Sequence, residues 1–183
     1  MTTILLDLDG TIVNFCGGVS RLFGKTPEWL DENWTVGIKD VCEALSIKKS
    51  QLWSRVNSTD KFWETLEPYP WLDELMDLLS KEDVHICTSP GICDANAMHG
   101  KAKWINKYLG SKFSKNFIFT PNKWMLAKPD RILIDDYDKQ CNGFVQHGGL
   151  AIVFAQHWNS NYMNSHRKIE YVKERLEEIK GNI

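Results

Sequence analysis

The chain of 183 residues has few cysteines, no long apolar run and no excess of charge of either sign. Its cysteines (Cys16, Cys42, Cys87, Cys93, Cys141) are odd in number, widely spaced and contain no C-x-x-C pair. That usage excludes a disulfide framework and fits reduced thiols in a reducing compartment. The histidines (His85, His99, His147, His157, His166) form no cluster of zinc-site spacing. His85, inside an apolar run, reads as a core histidine. No apolar stretch approaches the roughly 18 residues of a membrane span, and no basic, apolar leader opens the sequence. The N-x-[ST] triplets at Asn33 and Asn57 carry no meaning without one. Lysine and arginine number 22 against 24 acidic residues, with a net charge of −2 and a pI near 6.2. Such balance argues against binding a nucleic-acid polymer. The expectation is a soluble cytoplasmic protein with no membrane partner.

What is present is a core. Hydrophobic residues make up 43% of the chain, and eight Trp, five Tyr and eight Phe exclude disorder. Short apolar runs at Thr3–Leu8, Val84–Thr88, Asn116–Thr120, Arg131–Asp135 and Leu150–Phe154 read as buried strands. Helical periodicity occupies Trp71–Ser80, Lys101–Leu109 and Met163–Lys180, and a helix opens near Ile12. Alternation of this kind predicts an α/β fold, a Rossmann-like parallel sheet with helices on both faces. Ligands of such sheets bind beyond the carboxyl ends of the strands. The connection from Asp9 to Val84 is far longer than a crossover needs. Its middle has helical patterns of its own (Ile38–Leu45, Lys49–Val56) and reads as a small helical insertion.

The strand ends carry the chemistry. The first ends Asp7-Leu8-Asp9-Gly10-Thr11. Carboxylates at i and i+2 of an extended chain point the same way, and crowding them at an apolar strand end requires a cation. The second strand ends in Thr88-Ser89-Pro90, the third runs on to Lys123, and the fourth ends in Asp135-Asp136. On one sheet edge these residues offer oxygen ligands for Mg²⁺ and donors for phosphoryl oxygens.

D-x-D-G-T, a strand ending in Thr-Ser, a lysine and an Asp-Asp pair, in that order, resemble the haloacid dehalogenase (HAD) superfamily of aspartyl-phosphate phosphotransferases. A closer similarity runs from Asp7 to about Asp138. Asp7–Phe15, Leu66–Pro70, Ile86–Pro90, Lys103–Gly110 and Ile132–Asp136 look like the 5′(3′)-deoxyribonucleotidases. The resemblance implies a HAD core at residues 1–24 and 67–183 and a helical cap at 25–66. It implies Asp7 as nucleophile and Asp9 as general acid/base. Mg²⁺ would lie on Asp7, the Asp9 carbonyl and Asp136, with Asp135 behind them. Thr88, Ser89 and Lys123 would hold phosphate, with Lys128, in Lys128-Pro129, as the alternative lysine. Phe15 and Trp34 would stack on the base of a nucleotide substrate, with Trp53 or Trp63 as further candidates. The implied activity is nucleoside-monophosphate hydrolysis. Two alternatives stay open: a HAD phosphatase for another small phosphomonoester (a sugar phosphate or phosphoglycolate), and a non-catalytic receiver-like phospho-acceptor. A homodimer is neither required nor excluded by the sequence.

Overall fold

The computed structural model describes residues 2–36, 40–59, 61–91 and 94–181. Cys93 and the start of the Ile38–Leu45 pattern lie outside them. Among the described residues five strands form one parallel sheet: β1 (Thr3–Leu6), β2 (Asp83–Thr88), β3 (Phe117–Phe119), β4 (Arg131–Asp135) and β5 (Leu150–Val153). Their order is β3-β2-β1-β4-β5. β1 is central, with Leu6 in register with Ile86 on one side and Ile134 on the other. Its buried residues divide between the two faces, as a doubly covered strand requires. Ile4 and Leu6 join the larger core with Ile86, Ile132 and Ile134, whereas Leu5 joins Leu133, Cys87 and Phe144 beneath the other face.

The helices are α1 (Phe15–Leu22), α2 (Pro27–Asn33), α3 (Val41–Ala44), α4 (Lys49–Ser58), α5 (Phe62–Thr65), α6 (Leu72–Leu78), α7 (Ala95–Tyr108), α8 (Asp138–Gln146) and α9 (Lys168–Gly181). Leu75 of α6, Trp104 and Ile105 of α7, and Val172 and Leu176 of α9 enter the larger core. Phe144 of α8 fills the smaller one. Among the described residues the insertion between β1 and β2 shares its interior with the core. Leu30, Trp34, Leu52, Val56, Phe62 and Trp63 belong to the same buried cluster as Ile4 and Leu6.

Three expectations need correction. No helix begins at Ile12, because residues 8–13 fold back on themselves: Ile12 and Val13 both donate to the Leu8 carbonyl, and Gly10 donates to Val13. Helix α1 starts only after Asn14, whose side chain caps Gly17 N–H at 2.8 Å. The C-terminal helix opens as a 3₁₀ turn over Tyr162–Arg167 and becomes α-helical at Lys168. His85 is no core residue. It shares the Leu5 side of the sheet, leaves 30% of its side chain exposed, and stands 3.2 Å from the Asp83 carboxylate. Helix α2 is an addition, marked in the sequence by the Thr26 cap before Pro27 at the first turn.

The end of the insertion is tied to the core by Trp104, which is buried and donates from Nε1 to the Leu66 carbonyl at 2.8 Å. Trp104→Ala removes both the packing and that bond. It is expected to destabilise the fold by about 3–5 kcal/mol in urea unfolding at pH 7.

Candidate active site

The fold-back at residues 8–13 presents the acidic motif. Beyond it, Asn14 N–H donates to Glu67 O and Tyr69 N–H donates to Ile12 O, so the outgoing and returning chains of the insertion are paired at their base. Gly10 has φ of +84°, and a Cβ there would stand 2.3 Å from Asp136 Oδ2. Glycine therefore serves two needs, a left-handed turn and the close approach of a carboxylate. The Gly10 carbonyl accepts from Gln156 Nε2 at 2.6 Å and the Thr11 carbonyl from Trp71 Nε1 at 2.8 Å.

Two buried lysines divide the acidic groups. Lys123, 1% exposed, lies between Asp7 and Asp135, bonding Asp7 Oδ1 and, at 2.6 Å, Asp135 Oδ2. The other Asp135 oxygen accepts from Tyr137 N–H at 2.8 Å. Lys101, 2% exposed, pairs with Asp9 Oδ2 and also reaches Ser89 O at 2.7 Å and Thr88 Oγ1 at 3.2 Å. Asp9 Oδ1 is buried without a hydrogen-bond partner. Among the described residues no lysine pairs with Asp136. Trp158 Nε1 donates to its Oδ2 at 2.7 Å, and Asn159 Nδ2 donates to its backbone carbonyl at 2.9 Å.

The structure thus brings Asp7, Asp9, Thr88, Ser89, Lys123, Asp135 and Asp136 to one edge. Lys128, the alternative lysine, is exposed. Sequence reasoning missed Lys101 and Trp158. Lys101 lies on α7, well after the strand end, and only its place on the helix face toward Thr88 distinguishes it. Trp158 had no motif to mark it. Phe15 and Trp34 are not brought together. Phe15 stacks on Trp63 with ring centroids 5.5 Å apart and meets Phe62 edge-on. Trp34 stacks on Trp158 at 4.9 Å. A cavity of about 400 Å³ opens on the Trp34 side, between Asn14, Cys16, Tyr69, Trp158 and Lys168. A larger, open depression of about 730 Å³ lies beside α8, lined by Pro121, Tyr137 and Gly143 among others, and no site carboxylate lines either cavity.

Electrostatics define what this edge can hold. Oxygens of Asp7, Asp135 and Asp136 lie within 4.8 Å of one another, and Lys123 pairs with the first two. Burial pushes Asp7 up to about 7, with Asp135 and Asp9 adding to the rise and Lys123 opposing it. Burial, then Asp135 and Asp7, push Asp136 well above the usual carboxylate range. The cluster has more negative charge than Lys123 neutralises, and its donors are all oxygen. It fits a hard divalent cation such as Mg²⁺.

The surroundings match known proteins. A HAD family hydrolase from Deinococcus radiodurans R1, with bound phosphate and sodium, superposes with a TM-score of 0.59 at 11% identity, over 98% of this chain and 96% of that one. L-2-haloacid dehalogenase from Xanthobacter autotrophicus does so with a TM-score of 0.52 at 12% identity, over 96% and 88%. The fold is therefore that of the HAD class, as the strand-end motifs imply. Within that class the assignment narrows. Residues 1–178 match the family described as 5′ nucleotidase, deoxy (Pyrimidine), cytosolic type C protein, and the chain belongs to it. The human mitochondrial 5′(3′)-deoxyribonucleotidase is 30% identical over 149 residues, which are 73% of this chain and 61% of that protein. The human cytosolic type is 29% identical over 143 residues, 74% and 70% respectively. The chain thus spans less than two thirds of the mitochondrial relative's length.

Two outcomes are expected. Lys123→Met leaves Asp7 and Asp135 buried without their cation and is expected to cost about 3–5 kcal/mol of stability. Lys128→Met, at an exposed position, should stay within about 0.5 kcal/mol of wild type. Urea unfolding of the two variants side by side is the check. The second outcome concerns pH. With Asp7 raised from 3.8 to about 7, the metal-free folded state holds a proton that the unfolded state has lost. This group's contribution to stability therefore falls as pH rises across that window. A cation must displace this proton and the one that burial favours on Asp136, so Mg²⁺ affinity should rise with pH across this window. Calorimetric titration at pH 5, 6, 7 and 8 reads this directly.

Proposed function

We propose that this protein is a Mg²⁺-dependent phosphatase that hydrolyses (deoxy)ribonucleoside monophosphates through an aspartyl-phosphate on Asp7. The observation that carries the reading is the meeting of Asp7, Lys123, Thr88 and a Lys101-held Asp9 at one sheet edge, in a chain of a nucleotidase family. Residues 1–24 and 67–183 form the catalytic core in this reading and 25–66 its cap. The backbone pairing of Val13 with Pro68 near the cap's base supports that division.

The chemistry follows from the placement of the groups. Lys123 keeps Asp7 oriented, and an Asp7 carboxylate oxygen attacks phosphorus. The phosphorus–oxygen bond to the sugar breaks as Asp9 gives its proton to the departing alcohol. Asp9 then takes a proton from water, whose oxygen attacks the phosphoryl group and returns Asp7 as a carboxylate with inorganic phosphate. Thr88, Ser89 and Lys123 bind the phosphoryl oxygens. Asp7, the Asp9 carbonyl and Asp136 would hold Mg²⁺, which supplies positive charge that lets a phosphate dianion approach this acidic edge. The base enters the cavity on the Trp34 side, whose size falls within the range of small-ligand sites. Phe15, stacked on Trp63, is not part of that cavity's lining, so Trp34 is the stacking candidate in this reading. The names of the human relatives, one mitochondrial and one cytosolic type, are compatible with a cytoplasmic enzyme.

Phosphate release from a panel of ribo- and deoxyribonucleoside monophosphates tests the reading, with sugar phosphates and phosphoglycolate alongside. Nucleotides should turn over fastest, Asp7→Asn should abolish turnover, and Asp9→Asn should lose roughly 10²–10⁴-fold in kcat. Trp34→Ala should raise KM for nucleotides about 5- to 150-fold, through a lost stacking contact of about 1–3 kcal/mol. It should move kcat/KM for p-nitrophenyl phosphate much less. Wild-type rates in Asp7→Asn would refute the mechanism. Faster hydrolysis of sugar phosphates than of nucleotides would refute the substrate class.

A further inference from the structure

The metal-side carboxylate is held from a place that no strand-end motif marks. After β5 the chain runs Gln156-His157-Trp158-Asn159, and three of these side chains reach the acidic edge. Trp158 Nε1 donates to Asp136 Oδ2 at 2.7 Å. Asn159 Nδ2 spans the Asp136 and Phe154 carbonyls at 2.9 and 2.7 Å, which fixes the segment against the end of β4. Gln156 Nε2 holds the Gly10 carbonyl at 2.6 Å, and Gly10 is the residue whose missing Cβ makes room for Asp136 Oδ2. The Asp136 rotamer is thus set from both sides, by the open space at Gly10 and by the indole N–H.

The same indole faces the insertion. Trp34, at the end of α2, lies on Trp158 with an interplanar angle of 15° and centroids 4.9 Å apart. The His157 ring meets both edge-on, at 4.6 and 4.7 Å. Trp34 and Trp158 are 5% and 9% exposed, so neither ring shifts without repacking the other. One unbroken chain of contact therefore runs from the insertion, through two stacked indoles, to a carboxylate of the cation cluster. Both rings also line the 400 Å³ cavity.

We infer that Trp158 is a positioning residue: it holds Asp136 in the orientation that ligates the cation and, through its stack on Trp34, makes cation affinity depend on how the insertion sits on the core. The inference rests on the metal site of the proposed phosphatase and adds a coupling that the motif residues do not contain. A partner that orients a metal-ligating carboxylate typically changes metal affinity about 10- to 100-fold when removed. Coupling is reciprocal, so a bound cation must also tighten the Trp34–Trp158 contact by the factor that loss of the stack costs the cation.

The test is Mg²⁺ binding by calorimetry at pH 7.5 without substrate, with melting temperatures in EDTA as the control for folding. Trp158→Phe keeps an aromatic ring on Trp34 and removes the N–H. It is expected to weaken Mg²⁺ about 10- to 100-fold while melting near wild type in EDTA. Trp34→Leu keeps the N–H and removes the stack, with an expected loss of about threefold or more. Wild-type Mg²⁺ affinity in Trp158→Phe overturns the positioning role, and wild-type affinity in Trp34→Leu overturns the coupling. If Trp158→Phe melts too early to titrate, Trp34→Leu still decides the coupling. Absence of Mg²⁺ binding in the wild type would overturn the metal-dependent phosphatase reading together with this inference, whereas unchanged affinity in the variants overturns the inference alone.

Discussion

The contact on which the site depends is the Lys123 ammonium buried between Asp7 and Asp135. Such a group earns its place by geometry more than by stability, since a buried ion pair roughly repays its own desolvation. Here it ties three strand ends together. Asp7 follows β1, Asp135 ends β4, and Lys123 opens the 3₁₀ turn after β3 and bonds both carboxylates. Burial raises Asp7 while Lys123 pulls the other way, so the ammonium keeps the carboxyl within reach of ionisation near neutral pH. Asp136, which burial and its acidic neighbours push toward the neutral form, is where a divalent cation would supply the positive charge that Lys123 does not.

The second lysine works on the other carboxylate of the motif. Lys101 joins Asp9 to the Thr88 hydroxyl and the Ser89 carbonyl, and lies 4.6 Å above the Trp63 ring centroid. Trp63 in turn donates to Asp94, the cap of α7, and stacks on Phe15. The Asp9 end of the site therefore leans on one aromatic cluster of the insertion, and the Asp136 end leans on another through Trp34 and Trp158. Two separate contacts thus join one insertion to both ends of the carboxylate cluster.

The strands and the residues at their carboxyl ends were legible because apolar runs and motif order are local properties of the chain. Asp7, Asp9, Thr88, Lys123 and Asp136 each sit where a strand stops, and a parallel sheet places all such ends on one edge. Lys101 and Trp158 were not legible, since their roles depend on which face α7 turns to Thr88 and on where the loop after β5 lies against Asp136. The same limit explains Phe15 and Trp34. Both are aromatic and both belong to the region around the insertion, but only packing shows that they serve different clusters. His85 misled for a related reason: an apolar run fixes the strand, not how far the helices cover each of its faces.

The central claim, that Asp7 carries the phosphoryl group, is tested most directly by trapping it. Protein mixed with Mg²⁺ and a ³²P-labelled deoxynucleoside monophosphate, quenched in acid within milliseconds and digested, should yield one labelled peptide containing Asp7. The label should be released by hydroxylamine, as an acyl phosphate is, and should be absent from Asp7→Asn. A label on another residue, or rapid phosphate release with no labelled protein at any quench time, would contradict the account.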